Sequence, residues 1–410
     1  FYSTPDFNNN VGTVTINGNV NTQVRNGAIG FYYAGTSTAN PPVDLSAYLA
    51  GLISINSGTL NVDIDANSYL FGITKTAVNL SSLNNIHLTG MNLTGSEKIL
   101  VNNSLLTLDI DSNLDYLNNT GNKQYRDLGI SYSSVTINPG ITVSGTEDNQ
   151  VGIAQVSSYP PVSLINNGII SLTGENAIGI YGQNATLINN GTINLGSSIN
   201  GTGLYTDASF FGSGTSTNNA VINMGQDGIG IYGKTNDYAA ITLNNFGIIT
   251  GTGNNSSGIY INNVGNSATA NLTLSSASNI DVKNSLNGIG IYTNNTDIGG
   301  TGAGTITVGQ NGVGVYAKNG TTTLNNLTLN LFGNNSVGIY TDGTNSFTGN
   351  GTINVDGTGV IIFNISGTGS FNQNFNITST PGSSYAFGNI KNTTIYSNNS
   401  TTIGANGIYI

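Results

Sequence analysis

A five-residue pattern returns seven times in succession: a small residue, usually an apolar one, Gly, an apolar residue, then Tyr. It reads AIGIY at Ala177–Tyr181, GTGLY at Gly201–Tyr205, GIGIY at Gly228–Tyr232, SSGIY at Ser256–Tyr260, GIGIY at Gly288–Tyr292, GVGVY at Gly312–Tyr316 and SVGIY at Ser336–Tyr340. Weaker copies surround Gly30, Gly129, Gly152 and Gly359, and the chain closes on NGIYI. The central glycines, taken at Gly152, Gly179, Gly203, Gly230, Gly258, Gly290, Gly314, Gly338 and Gly359, lie 21 to 32 residues apart, centred near 26. Repetition at this period is the mark of a solenoid, in which each repeat buries its apolar face only by stacking on the next.

Each period holds further alternating segments. NNGTINLG (Asn189–Gly196), NNAVINMG (Asn218–Gly225), GTITVG (Gly304–Gly309) and GTINVDG (Gly351–Gly357) form one set, and ATLIN (Ala185–Asn189), AITLNN (Ala240–Asn245) and TTLNN (Thr322–Asn326) another. Three short strands separated by Gly, Asn and Asp corners describe one coil of a right-handed parallel β-helix, an all-β solenoid. Alternation sends Ile, Val and Leu inward and Thr, Asn and Ser outward. On this reading Ile178 and Ile180 point inward, whereas Gly179 and Tyr181 point outward. Corners need left-handed backbone, which Gly adopts freely and Asn more readily than other residues.

Composition closes the helical alternative. Only 7% of residues are charged, and 57 are Gly. Amphipathic helices need Ala, Leu, Glu, Lys and Arg, while Gly costs about 1 kcal/mol in a helix and Asn, Ser and Thr compete for its backbone bonds. A hydrophobic share of 37% in alternating runs argues equally against disorder.

Residues 151–410 read as regular coils, continuous with irregular coils carrying insertions in residues 1–150. Two insertions are expected to project from the rod. One, Ala34–Gly51, contains Pro41, Pro42 and the helix-compatible DLSAYLAG; the other, Asp111–Asp127, contains Tyr116, Lys123, Tyr125 and Arg126. Solenoid insertions gather on one face, often the binding face, so Tyr116, Lys123, Tyr125 and Arg126 are candidate binding residues. A second candidate surface is the outward stripe formed by Tyr181, Tyr205, Tyr232, Tyr260, Tyr292, Tyr316 and Tyr340, which either binds ligands or only consolidates the coils.

Several chemistries find little support. The net charge is −10 and the nine basic residues are scattered, which disfavours nucleic acid. GIGIYGKT (Gly228–Thr235) satisfies a phosphate-loop pattern, but strand and turn follow it rather than the helix such a loop needs. There is no Cys, one histidine (His87, read as lying on the outer face of a strand) and two arginines, Arg25 and Arg126. The acidic pairs Asp63/Asp65, Asp109/Asp111 and Glu147/Asp148 have no basic neighbour in sequence. No catalytic residue, metal or cofactor is therefore assigned, although a lone cation at Asp63/Asp65 or Asp109/Asp111 stays open, as does a carbohydrate-active β-helix enzyme built from distant coils.

Over residues 151–410 the GIGIYG and NNGTINLG repeats resemble the passenger domains of large type V autotransporters, particularly the Asn-rich adhesins of fusobacteria. The resemblance implies a fragment of a longer exported protein, held at the outer membrane by a C-terminal β-barrel not included in this chain. It implies adhesion to host-cell glycans or receptors, or to other bacteria, with no protease triad. A rigid stalk presenting a separate binding domain is the main alternative.

Overall fold

The computed structural model describes residues 2–3, 13–36, 43–65, 67–82, 88–95, 99–102, 104–111, 114–115, 125–127, 134–146, 148–156, 162–209, 211–236, 238–264, 269–296, 298–300, 304–390, 394–397 and 407–408. Among them all strand pairs are parallel, and the chain winds as a right-handed β-solenoid with three walls. The repeat motif forms the tyrosine wall, as in Ile178–Gln183, Thr202–Ala208, Ile229–Thr235, Ser257–Asn263 and Ile289–Asn294. A second wall follows in Thr186–Asn189, Ser213–Asn218, Ala240–Asn245 and Thr269–Leu274. A third contains Thr192–Leu195, Val221–Met224, Ile248–Gly251, Ser278–Val282 and Gly304–Val308. Farther on, Val313–Leu331 and Val337–Val355 each run through all three walls as one bent strand.

Stacking superimposes like residues and creates columns. Ile180, Leu204, Ile231, Ile259, Ile291, Val315 and Ile339 line the inside of the tyrosine wall, facing Ile170, Ile193, Ile222, Ile249, Ile280 and Ile306 from the third wall, all fully buried. Near the C-terminal end aromatic rings replace this aliphatic column: Phe363 packs on Phe371, Phe375 and Phe387 at centroid distances of 5.0, 6.2 and 5.2 Å.

The repeat's glycine is placed differently from the alternation expected. Strand pairing passes from Ile178↔Thr202 directly to Ile180↔Leu204, so Gly179 is skipped. Ile178 lies on the outer side, half-buried, while Gly179 and Ile180 are both buried. A Cβ on Gly179 would stand 2.6 Å from the Gly203 carbonyl oxygen and 2.7 Å from Ile193 Cγ2. The glycine is thus required by the close approach of the next coil and the third wall. The outward assignment of Gly179 and the inward one of Ile178 are corrected by this local break in alternation.

The same register corrects the ends of the series. Val337 pairs with Ile361 and Ile339 with Phe363, which sets Ile362 rather than Gly359 opposite Gly338. Gly359, at φ 67°, takes the left-handed corner that Asn335 (φ 56°) occupies one coil earlier. Gly72 pairs with Tyr32 and so stands at the tyrosine position of its coil.

Corners are made by polar ladders. Asn149, Asn176, Asn200, Asp227, Asn255, Asn287, Asn311 and Asn335 all adopt φ between 53° and 60° and precede the tyrosine wall. At the corner between the second and third walls a buried ladder runs from Asn166 to Asn189, Asn218 and Asn245, each side-chain amide donating to the next carbonyl oxygen at 2.8 Å, and ends on Ser278 Oγ at 2.7 Å. Amides buried in an apolar core persist only when fully bonded in this manner.

Within the insertion at Ala34–Gly51, the described residues from 43 onward do not project. Its helix, Leu45–Leu52, lies on the rod with Leu49 fully buried in the core and Tyr48 edge-on against Tyr33 at 4.7 Å. Apolar residues facing the rod make burial more favourable than a free loop. Within the second insertion, Tyr125–Asp127 is a strand paired in parallel with Ile99–Val101, so its backbone belongs to the rod wall.

Candidate binding surface

The seven repeat tyrosines stand on the outer side of their wall in direct register, Tyr181 to Tyr205 and onward to Tyr340. One strand spacing of about 4.8 Å brings each ring against the next. Centroid separations run 5.1, 4.6, 5.5, 4.3, 5.1 and 4.5 Å along the column, mostly edge-to-face. Each ring is half-buried by its neighbours. Burial raises the phenol pKa values of Tyr181, Tyr205, Tyr232 and Tyr316 and pushes Tyr292 up to about 12, with the adjacent Tyr260 contributing. These hydroxyls are protonated at neutral pH and remain able to donate.

Beside the tyrosines, two residues farther along each strand, lies a polar column: Gln183, Asp207, Lys234, Asn262, Asn294, Lys318 and Asp342. Asp207 is half-buried, and its Oδ1 has no hydrogen-bond partner. Burial raises its pKa, while the neighbouring Lys234 ammonium acts in the opposite direction.

The candidates from the second insertion fall differently. Tyr116 and Lys123 lie outside the described residues, and Tyr125 and Arg126 are described by backbone only, in the strand noted above. His87, Gly129 and Glu147 also lie outside, while Asp109 and Asp111 are placed by backbone in Leu105–Asp111. The candidate cation pair Asp63/Asp65 has a guanidinium beside it. Arg25 pairs with Asp63 and also donates to the Asp63 backbone carbonyl at 2.7 Å, the one ion pair among the described residues. Bonding to Arg25 holds the Asp63 carboxyl below its usual range. Asp65 Oδ2 and Oδ1 accept from the backbone N–H groups of Asn26 and Asn67 at 2.9 and 3.0 Å. Thirty-eight residues separate Arg25 from Asp63, which hid the pairing from sequence inspection. Among the described residues no three His, Asp or Glu side chains converge on one point. Gly228–Thr235 follows the strand reading: Ile229–Thr235 is a strand, and the next element is the strand Ala240–Asn245.

One surface feature was not legible in the sequence. Where the tyrosine wall turns into the second wall, Asn184 and Ala185 alone link the paired positions Gln183 and Thr186. One coil later Asp207 and Thr215 are linked by the seven residues 208–214, and Lys234 and Thr242 by the seven residues 235–241. Two successive coils therefore carry the same enlarged corner. Phe211 and Tyr238 stand at its tips, 80% and 61% exposed, with rings stacked at 5.1 Å and an interplanar angle of 16°. Val264, 63% exposed, follows at this corner in the next coil.

Both aromatic residues have left-handed backbone, φ 60° and 62°. The turns are closed by Gly212 N–H donating to Ser209 O at 3.1 Å and Ala239 N–H to Asn236 O at 3.1 Å. Gly or Asn belongs at such a position; a bulky residue there costs about 1–3 kcal/mol, a strain that concentrates at ligand-contacting sites.

No family model, curated protein or solved structure matches this chain. Its functional reading therefore rests on its own geometry and on the repeat resemblance.

Proposed function

We propose that this chain is the passenger portion of a bacterial surface adhesin, exported by a type V route and acting by binding without catalysis. It is displayed at the outer membrane or released, and its partners are glycans or receptors on host cells, or the surfaces of other bacteria. Nucleic acid is not a partner, and contact with the membrane runs through a C-terminal barrel outside this chain. The observation that carries the reading is the Phe211–Tyr238 stack, two strained, solvent-facing aromatic rings that fill no core. Exposed aromatic groups of this kind are characteristic of binding surfaces.

A stalk is the second reading, favoured by the tyrosine column. Its rings are engaged with one another over seven coils, which stiffens every coil alike and singles out none. Attachment separates the two. Beads coated with the purified chain should adhere saturably to host epithelial cells or partner bacteria, in competition with soluble chain. Beads that adhere no better than those coated with an unrelated protein would leave the stalk.

A further inference from the structure

We infer that the enlarged corner carrying Phe211 and Tyr238 is a subsite for the ring of a neutral sugar; this rests on the adhesin reading and specifies its ligand chemistry. Because the two rings cover each other on one side only and are largely exposed, each keeps an uncovered face. The face of a pyranose ring that carries axial C–H groups matches an aromatic face in size and polarity, and the flat ring supplies apolar contact that needs no charge.

The polar surroundings complete the match. Asp207 and Lys234, one residue from the ends of the strands that feed the two enlarged corners, pair in register, so the local charges cancel. The Lys234 ammonium, on the half-buried outer side of its strand, can donate to a sugar hydroxyl. On the other side of the corner Ser213 and Thr215 begin the second-wall strand, with Ser213 exposed and Thr215 half-buried. A site with cancelling charges on a chain of net charge −10 suits an uncharged, hydroxyl-rich ligand and disfavours sialic or uronic acids.

A protein partner fits less well. Two aromatic side chains offer about 150–250 Å² each even when wholly covered. A standard protein interface takes about 800 Å² from each partner. Exposed Val264 is the one large apolar neighbour at this corner among the described residues.

The left-handed backbone supplies a variant that removes the rings without damaging the fold. Glycine is the residue best suited to φ near 60°, so Phe211→Gly with Tyr238→Gly should fold as well as the parent, or unfold at a higher temperature. The chain should be applied to an array of neutral hexose and N-acetylhexosamine oligosaccharides, with sialylated and uronic-acid oligosaccharides as comparators. Retention on neutral sugars, with affinity reduced at least tenfold in the double glycine variant, is expected. Retention only on acidic sugars, or unchanged neutral-sugar affinity in the variant, would overturn the inference. Cell attachment by the parent without any neutral-sugar retention, or attachment that survives periodate oxidation of cell-surface sugars, would also overturn it while leaving the adhesin reading standing. Loss of both attachment and sugar retention in the parent would remove both.

Discussion

Gly230→Val is expected to destabilise the solenoid by more than about 4 kcal/mol, the range reached when overpacking is combined with a forced backbone shift. Gly230 sits midway along the column of repeat glycines. A Cβ there would lie 2.5 Å from Ile249 Cγ2 and 2.6 Å from the Gly258 carbonyl oxygen. The isoleucine could yield only by displacing the third wall, and the carbonyl belongs to the next coil's backbone, so neither neighbour can move alone. Gly51→Ala is the matched control: it lies in the helix Leu45–Leu52, and nothing stands within 4 Å of its added Cβ. That variant should be neutral or up to about 1 kcal/mol more stable, since alanine is the better helix former. Urea unfolding followed by circular dichroism measures both. Equal stability of the two variants would show that the coils are not in contact at the glycines.

The second large effect concerns the buried amide ladder. Asn218 donates to Asn245 Oδ1 at 2.8 Å and accepts from Asn189 Nδ2 at 2.8 Å, and it also bonds the backbone N–H and carbonyl of Ala220. Leucine has a similar volume but leaves the Asn245 oxygen and the local backbone groups without partners in a site closed to water. Each orphaned buried group costs about 1–3 kcal/mol, so Asn218→Leu is expected to lose about 3 kcal/mol. Its neighbour Asn219 belongs to an exposed ladder, donating to Asn190 at 2.7 Å. Water replaces that bond, and Asn219→Ala should change stability by less than about 1 kcal/mol. The contrast between adjacent asparagines is read in the same unfolding experiment, and similar losses at both would contradict the burial of the inner ladder.

The parallel solenoid was legible in sequence because parallel stacking superimposes identical positions. The seven Gly-x-Tyr motifs then mark one wall, and the Asn residues preceding six of them, with Asp227 before the other, mark one corner. What periodicity could not show was the skip in pairing at the repeat glycine. Strict alternation sends Gly179 outward, whereas the bend in the strand turns Gly179 and Ile180 both inward. Register, not residue type, separates Gly359 from the glycines it resembles, since a corner glycine and a wall glycine look alike in sequence. Arg25 meets Asp63 only because a whole coil intervenes. At the candidate site, Phe211 and Tyr238 break the rules by which sequences are read: large apolar residues are assigned to the core, and left-handed corners to Gly or Asn. The available signal was the lengthened spacing across the corner, together with an aromatic residue at a turn. The tyrosine stripe was visible from the start, but its ring-on-ring packing depended on the coil register.

The stacking of like positions is tested most directly by a single distance. Asn194, Asn223, Thr250, Asp281, Thr307, Asn330, Asn354 and Thr378 succeed one another on the third wall, each paired with the next, and the two end residues are exposed. Seven steps at about 4.8 Å set Asn194 and Thr378 about 34 Å apart. The chain has no cysteine, so Asn194→Cys with Thr378→Cys accepts spin labels at those two points alone. Pulsed dipolar spectroscopy should give one narrow distance distribution centred near that separation. A maximum displaced by two or more strand spacings, or a broad distribution without a maximum, would contradict the coil-on-coil stacking.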